Sequence, residues 1–183
     1  MKRNNLITHF AAIIVITVLC GLIYVSVQQS YRTGANDPQL QIASDLKTVI
    51  ENNRSIAQYI AKDSIDLSES LSAFKTIYDK NGEPIQSTGF LNNQLPKMPK
   101  GVFDFTDKNQ EDIFTWQPKS GVRMAMVVKK TNSPQIKFVA VGRSLKEVEK
   151  RESTLVTMVF VSWLVCAGIV LLHFLIVAFN KSK

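Results

Sequence analysis

Between residues 28 and 153 this chain has no histidine and no cysteine. The two histidines, His9 and His173, and the two cysteines, Cys20 and Cys166, all fall in apolar runs nearer the ends. A Ser-His-Asp or Cys-His site therefore cannot be assembled from the central residues, nor can a common zinc site or a disulfide. The apolar runs lack something too. From Leu6 to Val27 and from Thr154 to Phe179 there is no Asp, Glu, Lys or Arg. Each run exceeds the roughly 20 residues needed to cross a hydrocarbon core about 30 Å thick. The first, at 22 residues, is longer than the apolar region of about 7–15 residues in a signal peptide, and no small-x-small cleavage site follows it. A lipoprotein reading through Cys20 is opposed by the bulky Leu19 before it. Both runs are read as membrane spans.

Charge sets the expected orientation. Lys2 and Arg3 precede the first span, Lys181 and Lys183 follow the second, and all 15 acidic residues lie between the spans. Short basic segments stay cytoplasmic, whereas a long loop translocates largely regardless of its charge. The expected division is a cytoplasmic tail 1–5, a span 6–27, an extracytoplasmic domain 28–153, a span 154–179 and a cytoplasmic tail 180–183. The net charge of +7 then separates into four basic residues in the tails and a surplus of three outside, 18 basic against 15 acidic. The high pI is a topology signal, and nucleic acid is not an expected partner.

Within the central segment, Asp37 suits a helix N-cap and Pro38 the first helical position. Leu40, Ala43, Leu46, Val49 and Ile50, then Ile56, Ala57 and Ile60, recur at helical spacing, which predicts a long amphipathic helix from Pro38 to about Lys62. DLSESLSAF reads as a short helical or capped turn. The pattern then changes to alternation. FKTIYD, KNGE and PIQSTGF read as a hairpin in which Asn81-Gly82 supplies the positive-φ residues. LNNQLPKMPKG reads as a loop, and EDIFTWQ, VRMAMVVKK and IKFVAVGR as three further strands. Five antiparallel strands behind a long helix make an α+β domain. After Arg143 the stretch Ser144-Leu-Lys-Glu147 reads as a capping box. No Gly or Pro follows until Gly168, so one helix is expected to run from the sheet into the second span.

These features resemble the extracytoplasmic sensor half of bacterial histidine kinases and chemoreceptors, whose domains are of the PAS-like Cache or PDC type. The segments ANDPQLQIA, SLSAFKTIYDKNGEPIQSTG, FTWQPKSGVRMAMVV and VGRSLKEVEKRES are similar to those of two-pass bacterial membrane proteins carrying such a domain. The resemblance covers most of residues 35–152 and implies a sensor fold. It also exposes a departure: after Phe179 only Asn-Lys-Ser-Lys remains, with no dimerisation helix, kinase or cyclase. The expectation is an output supplied by a partner such as a histidine kinase.

Candidate ligand residues come from FTWQPKSGVRMAMVV. With PKSG as the loop, Trp116 would face Arg123 and Phe114 would face Ala125, close enough for the guanidinium to lie on the indole. Trp116 could then stack on an organic ligand while Arg123 forks onto its carboxylate; equally, the pair could only seal the hairpin end. Tyr78 and Arg143 are weaker candidates, for which structural roles are favoured. Met124 and Met126 share a strand face, a feature more often of core than of a copper(I) site. His9 and His173 could in principle ligate a haem, but helix–helix hydrogen bonding or interfacial anchoring is favoured. No catalytic residue, metal or cofactor is expected.

The function expected is a membrane-anchored sensing or ligand-binding module without enzymatic activity. Its partners would be the lipid bilayer, a small organic ligand bearing a carboxylate, and a second copy of the chain or another membrane protein. The alternative is a structural or accessory subunit of a cell-envelope complex. An enzyme ranks third, since only carboxylate or Ser-Lys chemistry survives and no spacing supports it.

Overall fold

The computed structural model describes residues 2–57, 59–60 and 65–180. The chain divides into two compact units, residues 33–148 and the pair of segments 1–32 and 149–183.

The second unit is a helix pair. α1 (Lys2–Gly34) has 33 residues and α4 (Lys146–Asn180) has 35, and both are long and apolar enough to cross a membrane. Apolar side chains project from them along their length; Phe10 is 68% exposed, Ile169 63% and Phe179 71%. Exposed apolar surface on this scale is compatible with a lipid surround. Among the described residues, polar contacts join the helices in antiparallel order, including His9 Nε2 with His173 Nδ1 at 3.1 Å, the Trp163 indole N–H donating to Thr17 Oγ1 at 2.9 Å, and Arg32 Nε with Glu152 Oε1 at 3.3 Å. The Thr17 hydroxyl in turn donates a hydrogen bond to the Ile13 carbonyl at 2.8 Å. The histidines thus bond to each other, as the helix–helix reading expects.

The central unit is α+β. α2 (Asp37–Glu51) starts one residue earlier than the proline suggests, with Asn36 at the N-cap and Pro38 in the first turn. It also stops well before Lys62. Asn53 adopts φ 53°, its amide bonds the Ile50 carbonyl, and the Arg54 amide reaches back to Val49. This is a Schellman closure with asparagine in the left-handed position. Ile56 and Ile60 pack beyond the helix end on Leu46, Ile50 and Val139, while Gln58, Ala61 and Lys62 lie outside the described residues.

The sheet contains β2 (Phe74–Tyr78), β3 (Pro84–Ser87), β5 (Glu111–Lys119), β6 (Val122–Lys130) and β7 (Phe138–Ser144), antiparallel in the order β3-β2-β7-β6-β5. The five expected strands are all present. A parallel two-residue pair joins β1 (Ile65–Asp66) to β4 (Gly89–Phe90). The DLSESLSAF stretch is a capped turn, with the Ser68 amide on the Asp66 carboxylate at 2.8 Å. An unforeseen helix, α3 (Lys100–Asn109), follows the proline-rich loop.

Alternate strand residues feed two apolar layers. Val127, Val139, Val141 and Ile77 meet α2 through Ala43, Leu46 and Ile50. Phe74, Tyr78, Met124, Met126, Val128, Phe138 and Ala140 form the opposite layer with Phe103 of α3 and Met98. Met124 and Met126 are therefore core residues.

β7 lies between β2 and β6 and sits against both layers. Gly142 is a point of close approach: a Cβ there would collide with Met126 Sδ and stand 2.7 Å from Phe74 Cζ. Both neighbours are fully buried. Gly142→Ala should therefore destabilise the domain by about 1–3 kcal/mol through overpacking. A urea titration of the full chain in mild detergent, followed by Trp116 fluorescence in a Trp163→Phe background, would register the loss as a lower midpoint.

Candidate functional site

The sheet register separates the residues picked out from the sequence. The β5–β6 turn is only Ser120-Gly121, with Gly121 at φ 77° and Lys119 paired to Val122. Between Lys119 and Trp116 the register shifts: Gln117 and Pro118 together oppose the single residue Arg123, and Trp116 pairs with Met124. Phe114 likewise pairs with Met126 and Thr115 with Ala125. The expected facing of Trp116 with Arg123, and of Phe114 with Ala125, is thus corrected by one residue. In a strand a slip of one moves a side chain to the other face.

Trp116, only 8% exposed, and Phe114 join the layer of Phe103 and Tyr78. Tyr78 is buried there and donates its hydroxyl proton to the Pro96 carbonyl at 2.8 Å, and burial pushes its phenol pKa up. Arg123 is exposed and alternates with Val122 and Met124, on the sheet face opposite Trp116. Arg143, which pairs with Ala125, shares that opposite face; its Nε donates to the Leu71 carbonyl at 3.1 Å and its Nη2 lies 3.7 Å from Glu147. The three aromatics and the two arginines do not converge.

A cleft of about 430 Å³ opens instead beside the hairpin tip, lined by Lys80, Asn81, Lys100, Phe103, Asp104, Asp107, Lys137 and Phe138. Three elements build it. In the β2–β3 loop, Asp79 Oδ1 accepts the amides of Asn81 and Glu83, both at 2.8 Å. These bonds, that of Glu83 foremost, hold the Asp79 carboxyl below its usual pKa and fix the segment that presents Lys80. Gly82 alone takes a positive φ, 79°, so Asn81 does not share the role expected of it. A Cβ on Gly82 would lie 2.5 Å from the Phe103 ring, so α3 abuts the loop directly. On α3, Lys100, Asp104 and Asp107 fall one turn apart beside Phe103. The start of β7 adds Lys137 and Phe138, whose ring centroid is 5.1 Å from that of Phe103.

Asp107 accepts from Lys130 Nζ at 2.9 Å and stands 3.6 Å from Lys137 Nζ. The Lys130 hydrogen bond is the main cause of a lowered Asp107 pKa. Among the described residues, Lys80 and Lys100 have no ion-pair partner within 4.0 Å. Sequence reasoning missed the cleft because it missed α3, although Pro99 before a Phe103/Thr106 inward face was a usable signal. Protein-family models and curated proteins, compared with this sequence, give no match. The class rests on the fold: two membrane-length apolar helices flanking, in the chain, a five-stranded α+β domain, compatible with a two-pass membrane protein carrying a sensor domain.

Asp107 generates a pH test. Its folded pKa lies below the ordinary 3.8, so the ionised carboxylate contributes stability above that value and loses it as pH falls through the folded pKa. Asp107→Asn lacks this component. From neutral pH down to about pH 3 its urea midpoint should fall less steeply than that of the unmodified chain.

Proposed function

We propose that this chain is a two-pass membrane sensor subunit whose central domain, of the PAS-like Cache or PDC kind, lies outside the cytoplasm and binds a ligand. Both termini are cytoplasmic. The chain performs no catalysis of its own and relays through α4 to a membrane partner such as a histidine kinase, as a homodimer or in a mixed assembly. Its ligand is a small organic anion; nucleic acid plays no part.

One observation carries this reading: the junction of β7 with α4. The strand ends at Ser144 and the helix begins at Lys146. The Leu145 amide between them donates to the Arg123 carbonyl of β6 at 2.9 Å. Lys146 Nζ donates to the Ser68 carbonyl at 2.6 Å, and its amide to Ser144 Oγ at 3.3 Å. The Ser144 bond reaches one residue short of the Glu147 amide of a capping box, and the Glu147 carboxylate stands 3.7 Å from Arg143 Nη2. A helix tied to its sheet this closely suits a relay. The accessory-subunit reading draws support from β5, which pairs only with β6 among the described strands and exposes 42% of Ile113. An open edge strand can receive a protein.

Two experiments test the proposal. Two residues inserted after Lys150 would turn the downstream helix by about 200°, whereas seven leave a drift of only about 20°. In a strain with a measurable deletion phenotype, the short insertion should abolish output and the long one largely spare it; equal tolerance would favour the accessory role. For topology, in a Cys20→Ala/Cys166→Ala background, Ser120→Cys in the exposed β5–β6 turn should react with an impermeant maleimide in intact cells. Ser182→Cys should react only after permeabilisation, and the reverse pattern would invert the topology.

A further inference from the structure

We propose that the cleft between the β2–β3 loop, α3 and the start of β7 binds a phosphorylated small molecule: one phosphate head on a compact apolar body. This rests on the reading of the domain as a ligand-binding module and narrows its ligand.

Charge comes first. Lys80, Lys100 and Lys137 enter the cleft from three different elements, and Lys130 stands behind Asp107. Within the lining, three ammonium groups against Asp104 and Asp107 leave a surplus of one positive charge. With Lys130 neutralising Asp107 from outside the lining the local surplus is two, which suits a phosphate monoester carrying about −1.5 to −2 at neutral pH. Asp107 is already satisfied by Lys130 and Lys137, so the uncommitted cations are Lys80 and Lys100.

The kind of cation matters as well. Among the described residues, no guanidinium lines the cleft. A planar carboxylate is best met by the flat fork of arginine, whereas several ammonium point charges arriving from different directions suit a tetrahedral group with oxygens on all sides. Asp104, in the same cleft and without an ion-pair partner within 4.0 Å among the described residues, opposes a second acidic group. The ligand therefore carries its charge at one end.

The floor and size define the rest. Phe103 and Phe138, tilted at 44° to each other and otherwise buried, offer their edges as the apolar part of the lining, and about 430 Å³ falls within the usual range of small-molecule sites. The rim is set before any ligand arrives, since the Asp79 carboxylate fixes the loop and Gly82 lies against Phe103.

The test is calorimetric titration of the full chain in detergent micelles with phenyl phosphate, inorganic phosphate and benzoate. Phenyl phosphate should bind saturably, inorganic phosphate should compete with it, and benzoate should bind at least about tenfold more weakly. Lys80→Gln and Lys100→Gln, both at exposed positions, should each weaken phenyl phosphate about tenfold with unchanged urea midpoints, and Asp104→Asn should tighten it. The proposal falls if phenyl phosphate does not saturate by about 10 mM, if benzoate binds equally well, or if the lysine variants bind normally. Loss of binding with the insertion phenotype intact would sink the ligand class alone. Binding without that phenotype would sink the relay and leave the site standing.

Discussion

β7 is hydrogen-bonded along both edges and covered on both faces. It takes β2 on one side and β6 on the other. Phe138 and Ala140 point into the layer of α3, and Val139 and Val141 into the layer of α2. A strand in that position has no solvent side to yield to, and protein interiors pack too densely to absorb a shift. Its run of small and β-branched residues, with Gly142 giving Phe74 and Met126 their space, is what double coverage requires. Phe138 lines the cleft at one end of this strand, and α4 follows in the chain at the other.

Much of this fold was readable because its signals are local. The five strands announce themselves by alternation and turn residues, and the unbroken α4 by the 22 residues from Lys146 to Ala167 without Gly or Pro. The losses have specific causes. Asn53 ended α2 by taking a left-handed conformation that asparagine tolerates, while the apolar spacing beyond it continued to suggest helix. α3 was hidden because GVFDFT alternates as convincingly as it recurs every three or four residues. The Trp116/Arg123 pairing failed over one residue, since a bulge at Gln117-Pro118 is invisible to a count of loop length.

The cleft was the least legible part for a different reason. Its residues come from positions 80–81, 100–107 and 137–138, three segments joined only by tertiary packing. Surface lysines are common, and none of these is remarkable alone. The aromatic side chains that looked like ligand platforms in the sequence are occupied with one another: Tyr78 stands 4.9 Å from Phe103 between ring centroids and spends its hydroxyl on Pro96. A well-filled layer displaces binding chemistry to its margin, where charged side chains keep access to water while touching the apolar edge.

Three of the polar contacts between α1 and α4 bear on how that pair can deform. His9–His173, Thr17–Trp163 and Arg32–Glu152 are spread over nearly the whole length of both helices, like teeth on a rack. A piston stroke of one residue, about 1.5 Å, would stretch all three together, and in hydrocarbon the two inner ones would find no water to replace them. Tilting about the middle tooth or twisting around the common axis strains them far less. Any mechanical input reaching this pair is thereby filtered: sliding is resisted, and rocking or twisting is the softer response.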